Sequence, residues 1–149
     1  MEAKLAMWTG LDVTPGSGCG FIFKGDLNSE NWLIEVKSTR QKAFVFDSSW
    51  ISKTRTYAKE KGKDNYAVLF GWDDRPEGYD GELLFAAVPT DEHIETNITD
   101  SFHLNSKTAK INHILQNVKS GQSAEVALGD EIFIIITLNT FLNQCLNQS

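Results

Sequence analysis

The sequence predicts a mixed α/β domain built around one central sheet. Three observations carry that reading. Short apolar segments with strand character recur along the chain, at residues 32–37, 44–46, 66–72, 83–88 and 131–137. Between them, residues 48–61 carry helical spacing. Finally, 149 residues with 41% apolar and 23% charged side chains have the length and balance of a single globular core.

Taken in order, residues 2–9 suit a short helix that Gly10 can terminate, and residues 15–20 (PGSGCG) have turn composition throughout. In the segment WLIEVK, residues 32–37, Trp32, Ile34 and Val36 fall on one strand face and Leu33, Glu35 and Lys37 on the other. Phe44 to Phe46 makes a further short strand. Asp47 or Ser48 can cap the following helix, which runs to Lys61 and stops at Gly62. Trp50, Ile51, Thr54, Tyr57 and Ala58 lie along its apolar stripe, and Lys53, Lys59, Lys61 and Lys63 fall mostly outside it. Strands 66–72 and 83–88 are separated by the turn-rich run DDRPEGYDGE. A second helix is expected over residues 105–118 from the spacing of Ile111, Ile114, Leu115 and Val118. A last strand, 131–137, and a short helix, 140–146, complete the chain.

The formal charge of -6 is unevenly distributed. Residues 1–63 carry ten basic and seven acidic side chains, net +3, whereas residues 64–149 carry four and thirteen, net -9. A basic N-terminal part can face a polyanion while the acidic remainder keeps the protein soluble. No apolar run approaches the roughly 18 residues of a membrane span, which argues against membrane insertion. The N-terminal MEAKLAMWTG lacks the pattern of a secretory signal. Cys19 and Cys145 have no metal-ligand spacing, and their scarcity fits a reducing cytoplasm. His93, His103 and His113 match no zinc pattern, and the acidic residues of 73–82 lack the order of a calcium loop.

The chemistry-bearing pattern is Gly25-Asp26, eight residues, then Glu35-Val36-Lys37. Glu35 and Lys37 project the same way from a strand. A neighbouring strand bearing Asp26 would place a second carboxylate beside Glu35. Two carboxylates and the Val36 carbonyl form a hard oxygen site suited to Mg²⁺ or Mn²⁺. Such an ion can stabilise charge developing on a phosphate, and a lysine two residues along adds a positive charge at the same place. The backbone of the GSGCG loop, with Ser17 and Gly18, can hold a phosphate, although the loop lacks the Lys-Ser/Thr ending of a nucleotide-binding P-loop. Lys24, Ser38, Thr39, Arg40, Lys42, Lys53 and Arg55 are the further candidates for DNA contact.

The combination GSGCGFIFKGDL…WLIEVKST resembles the PD-(D/E)XK nuclease superfamily, specifically the small Holliday-junction-resolvase-like nucleases of phages and archaea. The resemblance runs from about Thr14 to Thr39 and extends weakly through Trp50–Lys53 and residues 66–72. It implies a restriction-endonuclease-like fold, a central mixed β-sheet flanked by helices. It also implies a Mg²⁺-dependent endonuclease with Asp26 and Glu35 as metal ligands and Lys37 as the catalytic lysine. The implied partner is DNA, branched or junction DNA first, cut by a two-fold homodimer. Members often add a glutamate from the first helix, for which Glu2 is the candidate here. Residues 73–130 exceed what such a core requires and read as an insertion within the single domain 1–149. The alternatives are another nuclease of the same fold, or a non-catalytic DNA-binding protein that shares it.

Overall fold

A computed structural model describes residues 11–13, 20–23, 32–91 and 96–146. Ten strands are present among them. Eight form one mixed sheet: β1 (Leu11–Val13), β2 (Gly20–Phe23), β3 (Trp32–Thr39), β5 (Asn65–Trp72), β6 (Leu84–Pro89), β7 (Asn97–Leu104), β9 (Gln122–Leu128) and β10 (Glu131–Thr137). Their spatial order is β1-β2-β3-β5-β6-β10-β9-β7. β4 (Val45–Asp47) and β8 (Thr108–Lys110) pair separately as an antiparallel ribbon. The helices are α1 (Ser49–Glu60), the single turn α2 (Asn112–Leu115) and α3 (Leu138–Phe141), which continues as a π-helical turn, Leu142–Leu146. The expected mixed α/β architecture around one sheet is present. None of the helices in the described residues is long and apolar enough to cross a membrane.

β1, β2 and β3 form an antiparallel meander, whereas β5 runs parallel to β3 over eight residue pairs from Trp32↔Asn65 to Thr39↔Trp72. A parallel pair cannot be closed by a tight turn and needs a crossover. Here β4 and α1 supply it. From Ala67 to Trp72, β5 is buried on both faces, which explains its nearly unbroken apolar sequence. One face of the sheet packs against α1, the ribbon and α2, through Phe46, Ile51, Phe70, Phe85, Leu115 and Phe133. The other packs Trp32, Ile34, Val36, Leu69 and Ile136 against Leu138 and Phe141.

The cap of α1 is resolved in favour of Asp47. Its Oδ1 accepts the Ser49 N–H at 2.9 Å, whereas the Ser48 side chain makes no capping bond. Gly62 ends the helix with φ 70°, a conformation that favours glycine. The expected stripe is narrower than its spacing suggested: Ile51, Thr54 and Ala58 are buried, but Tyr57 is 38% exposed. The predicted helix over 105–118 is not formed. Residues 108–110 are a strand paired with β4, and only Asn112–Leu115 is α-helical. Ile111, Ile114, Leu115 and Val118 are all buried, so the spacing marked the core correctly. The Asn112 side chain competes with continuous helix by bridging to another segment. Its Oδ1 accepts from Phe44 N at 2.7 Å, and its Nδ2 donates to the Lys42 carbonyl at 2.9 Å. β7 and β9 have no counterpart in the sequence reading; β7 is a largely exposed edge strand without an apolar run. Residues 73–130 contribute β6, β7 and β9 to the central sheet itself. The acidic run 73–82 is anchored by Tyr79, whose ring lies 4.7 Å from that of Trp72 and whose hydroxyl donates to the Glu82 carbonyl at 2.6 Å.

Gly71 is where β5 and the start of β6 approach most closely. Its φ is 155°, and a Cβ there would lie 1.9 Å from the Leu83 carbonyl oxygen, a backbone atom with nowhere to move. The same carbonyl accepts the Trp72 N–H at 3.1 Å. Gly71→Ala is therefore expected to destabilise the fold by about 2–3 kcal/mol. Urea unfolding checks this: the midpoint should fall with little change in slope.

Candidate active site on strand β3

Alternation along β3 puts Leu33, Glu35, Lys37 and Thr39 on the sheet face that α1 covers. Leu33 is buried, while Glu35 and Lys37 are half-buried. Across the parallel pairing Glu35 stands beside Val68 and Lys37 beside Phe70, both fully buried. The two charged side chains therefore rise from an apolar floor, where a carboxylate is costly unless something satisfies it. Val36 points into the opposite core and offers the site its backbone. Above this floor stands Trp50, in the first turn of α1. The Lys37 ammonium lies 5.7 Å from the Trp50 ring centroid, a cation–π distance. Trp50 is itself fixed by Phe46, 4.8 Å between centroids, and by Phe44, 6.1 Å.

On its other side β3 pairs with β2, and among the described residues that ladder ends at Gly20↔Glu35. The residue opposite Glu35 is therefore Gly20, not Asp26. β2 ends at Phe23, three residues short of Asp26, so the described register does not supply the neighbouring-strand carboxylate expected from the sequence. That register pairs Phe21 with Ile34 and Ile22 with Leu33. Asp26 itself lies outside the described residues, as do Glu2, Ser17, Gly18 and Lys24. Among the described residues no three carboxylate, histidine or cysteine side chains converge on a common point.

The remaining candidates divide by location. Ser38 and Arg40 are exposed at the C-terminal end of β3, and Arg40 Nε lies 3.6 Å from an Asp73 carboxylate oxygen. Thr39 shapes the turn that follows: its Oγ1 accepts the Gln41 N–H at 3.0 Å, and its carbonyl accepts the Asp73 N–H at 3.1 Å. Lys42 and Lys53 are exposed, on the segment before β4 and on α1. Arg55 is engaged elsewhere. Its guanidinium grips Glu131 of β10 in a two-point contact, at 2.8 and 3.1 Å. Hydrogen bonding to Glu131, and secondarily to Tyr66, raises the Arg55 pKa further above its ordinary value. Arg55 ties α1 to the sheet and does not present a free fork to solvent.

Two basic residues that the charge tally had assigned to the acidic part belong to this neighbourhood. Lys107 and Lys110, at and beside β8, are exposed, and the Lys107 carbonyl accepts the Ser48 N–H at 2.9 Å. The backbone N–H of Ser49 holds the Asp47 carboxyl below the usual carboxylate range; desolvation opposes this, and Lys107 and Lys53 add smaller pulls in the same direction. Nothing in the spacing of Lys107 and Lys110 marked their place, because the expected helix over 105–118 gave them no partner strand. A cavity of about 370 Å³, lined by Trp72, Asp73, Leu84, Leu138 and Leu142 among others, lies at the C-terminal end of β5 rather than over Glu35. The candidate residues Glu35 and Lys37 lie on the β3 face and do not line that cavity.

Compared with known proteins, the chain matches no family model, no curated protein and no solved structure.

The Arg55–Glu131 pair has a measurable signature. Glu131 retains only 17% side-chain exposure, so removing its partner leaves a poorly solvated carboxylate, although the 42% exposure of Arg55 lets solvent screen part of the loss. Arg55→Ala should lower stability by about 1–2 kcal/mol, whereas Lys53→Ala should stay within about 0.5 kcal/mol of the parent. A double-mutant cycle with Glu131→Gln, read by thermal or urea unfolding, should show most of the Arg55 effect as coupling.

Proposed function

We propose that this protein is a Mg²⁺- or Mn²⁺-dependent endodeoxyribonuclease of the PD-(D/E)XK type, with a restriction-endonuclease-like fold, acting on branched or junction DNA. The observation that carries the reading is the Glu35–Lys37 pair: two opposite charges at strand spacing, raised on an apolar floor, with the lysine braced by Trp50. A merely solvated Glu-x-Lys would not stand among Leu33, Val68 and Phe70. The Gly-Ser-Gly loop, Lys-Gly-Asp and apolar Glu-x-Lys strand of the sequence point the same way.

The donor chemistry fits a hard divalent cation. Glu35 supplies a half-buried carboxylate, Val36 a backbone carbonyl, and Asp26 a second carboxylate from the connection between β2 and β3. A bound Mg²⁺ would supply Lewis acidity at the scissile phosphate. Lys37 contributes a preorganised positive charge toward the same phosphate, held in place by the indole rather than by mobile solvent. The exposed Ser38, Arg40, Lys42 and Lys53 offer contacts to flanking phosphates. Junction resolution requires two symmetric cuts, for which a two-fold homodimer is the matching assembly.

A second reading, a DNA-binding protein of the same architecture that does not cut, is favoured by one observation: the described register sets Gly20 opposite Glu35. Two measurements separate them. In a nicking assay on plasmid, single-stranded, flap and four-way-junction DNA with Mg²⁺ or Mn²⁺, Lys37→Ala should cut about a hundred- to a thousand-fold more slowly, a loss of about 3–4 kcal/mol of transition-state stabilisation. Equal rates for parent and variant would overturn the catalytic assignment, and absence of cutting by the parent would favour the binder. Calorimetric titration of Mn²⁺ should show a binding event in the parent that Asp26→Ala abolishes. Identical titrations would remove Asp26 from the metal site.

A further inference from the structure

We propose that the β4–β8 ribbon is a second nucleic-acid-contacting surface, which places Lys107 and Lys110 against the phosphates of a duplex DNA arm beside the β3 site. The inference rests on the nuclease reading for the identity of the partner and extends it to residues outside the Glu-x-Lys motif.

The ribbon has two unlike faces. Its register pairs Val45 with Lys110, Phe46 with Ala109 and Asp47 with Thr108. Strand alternation turns Phe46 and Ala109 inward, where Phe46 is fully buried against Trp50, Phe70 and Phe133 at centroid distances of 4.8, 5.1 and 4.9 Å. The opposite face carries Val45 and the half-buried Asp47 of β4 with Thr108 and Lys110 of β8, and Val45, Thr108 and Lys110 are exposed. A ribbon riveted by three aromatic contacts on one side therefore offers a rigid polar strip on the other.

Its surroundings are basic. Lys107 sits at the entrance to β8, Lys42 precedes β4, and Lys53 lies one turn into α1, close enough to Asp47 for Lys53 and Lys107 to act on the same carboxylate. The carboxylates in this neighbourhood include Asp47, which accepts the Ser49 N–H, Asp130, in the turn where Gly129 approaches the Cα of Lys107, and Glu131, which Arg55 engages. Lys42, Lys53, Lys107 and Lys110 outnumber them, leaving a positive excess on a protein whose overall charge is -6. An exposed positive strip on an acidic protein is the electrostatic footprint of a polyanion partner. A two-stranded ribbon is also of a width that the major groove of B-form DNA admits.

The ribbon adjoins the candidate site through its buried face. The Trp50 indole is shared: its ring lies 4.8 Å from that of Phe46 and 5.7 Å from the Lys37 ammonium. A duplex arm on the outer face of the ribbon would lie near Lys37 and Glu35. Lys107 and Lys110 supply two of the four basic side chains of residues 64–149.

The test is fluorescence anisotropy in metal-free buffer, so that no cutting occurs, with a labelled duplex, a four-way junction and the single strand alone. Lys107→Ala/Lys110→Ala should weaken duplex and junction binding about tenfold or more and make the slope of log affinity against log salt shallower by about 2, close to one per phosphate contact. Lys110→Gln alone should give about half that change in slope. Both positions are exposed, and thermal melts of the variants should overlay the parent. Unchanged affinity and slope, with the parent binding normally, would overturn the ribbon assignment and leave the nuclease reading standing. An equal loss for the single strand would overturn the duplex assignment. A parent that binds none of the three would overturn both readings. The expected loss in a protein that proves unable to cut would support the ribbon and reject the catalytic proposal.

Discussion

The parallel pairing of β3 with β5 is the constraint on which the rest of the structure depends. Antiparallel neighbours can be joined by a turn, but these two strands run the same way over eight residue pairs, so the chain must leave the sheet and return. It leaves through β4 and returns through α1. That excursion brings Phe44, Phe46 and Trp50 down on the face carrying Glu35 and Lys37. Without the crossover, the pair would stand on an open strand surface in high dielectric. With it, both charges stand on buried Val68 and Phe70 and one of them meets an indole. Each unit of charge is worth more in that setting than in water.

The crossover is secured at several points by different kinds of interaction. Phe46 stacks on Phe133 from β10, Arg55 clasps Glu131 two residues earlier on that strand, and Asn112 stitches the segment before β4 to α2. These contacts link residues 68 to 87 positions apart, and none depends on local propensity. They also sort the basic residues into two kinds. Arg55, with its planar fork, is drawn into an internal pair, whereas the lysines around it keep their ammonium groups in solvent. The ion pair to the sheet and the solvent-facing charge thus fall on different side chains of the same helix.

Local patterns read well wherever a segment answers to its own periodicity. The strand around Glu35, the helix after Asp47, the doubly buried β5 and the apolar β10 all follow from alternation, capping and unbroken hydrophobicity. The helical spacing of Ile111, Ile114, Leu115 and Val118 located four buried residues correctly and their conformation wrongly. A helical turn followed by tightly bonded loop buries the same side chains as a long helix. The choice was made by pairing of residues 108–110 with β4, a partner more than sixty positions away. β7 was illegible for a related reason: an edge strand lies open to solvent along one side and carries no apolar run to betray it.

By itself the sequence determined that one sheet-centred α/β core would form, that Glu35 and Lys37 would share a strand face, and that Asp47 or Ser48 would begin the crossover helix. Each follows from spacing within a few residues of the chain, where geometry is fixed by covalent structure. Only the tertiary structure decided what that face meets. It set Trp50 over Lys37, withdrew Arg55 to Glu131, placed Gly20 across from Glu35, and brought Lys107 and Lys110 from the acidic part of the chain alongside β4 and the start of α1. Such juxtapositions come from the packing of distant segments, and a linear count of charges or periods contains no term for them.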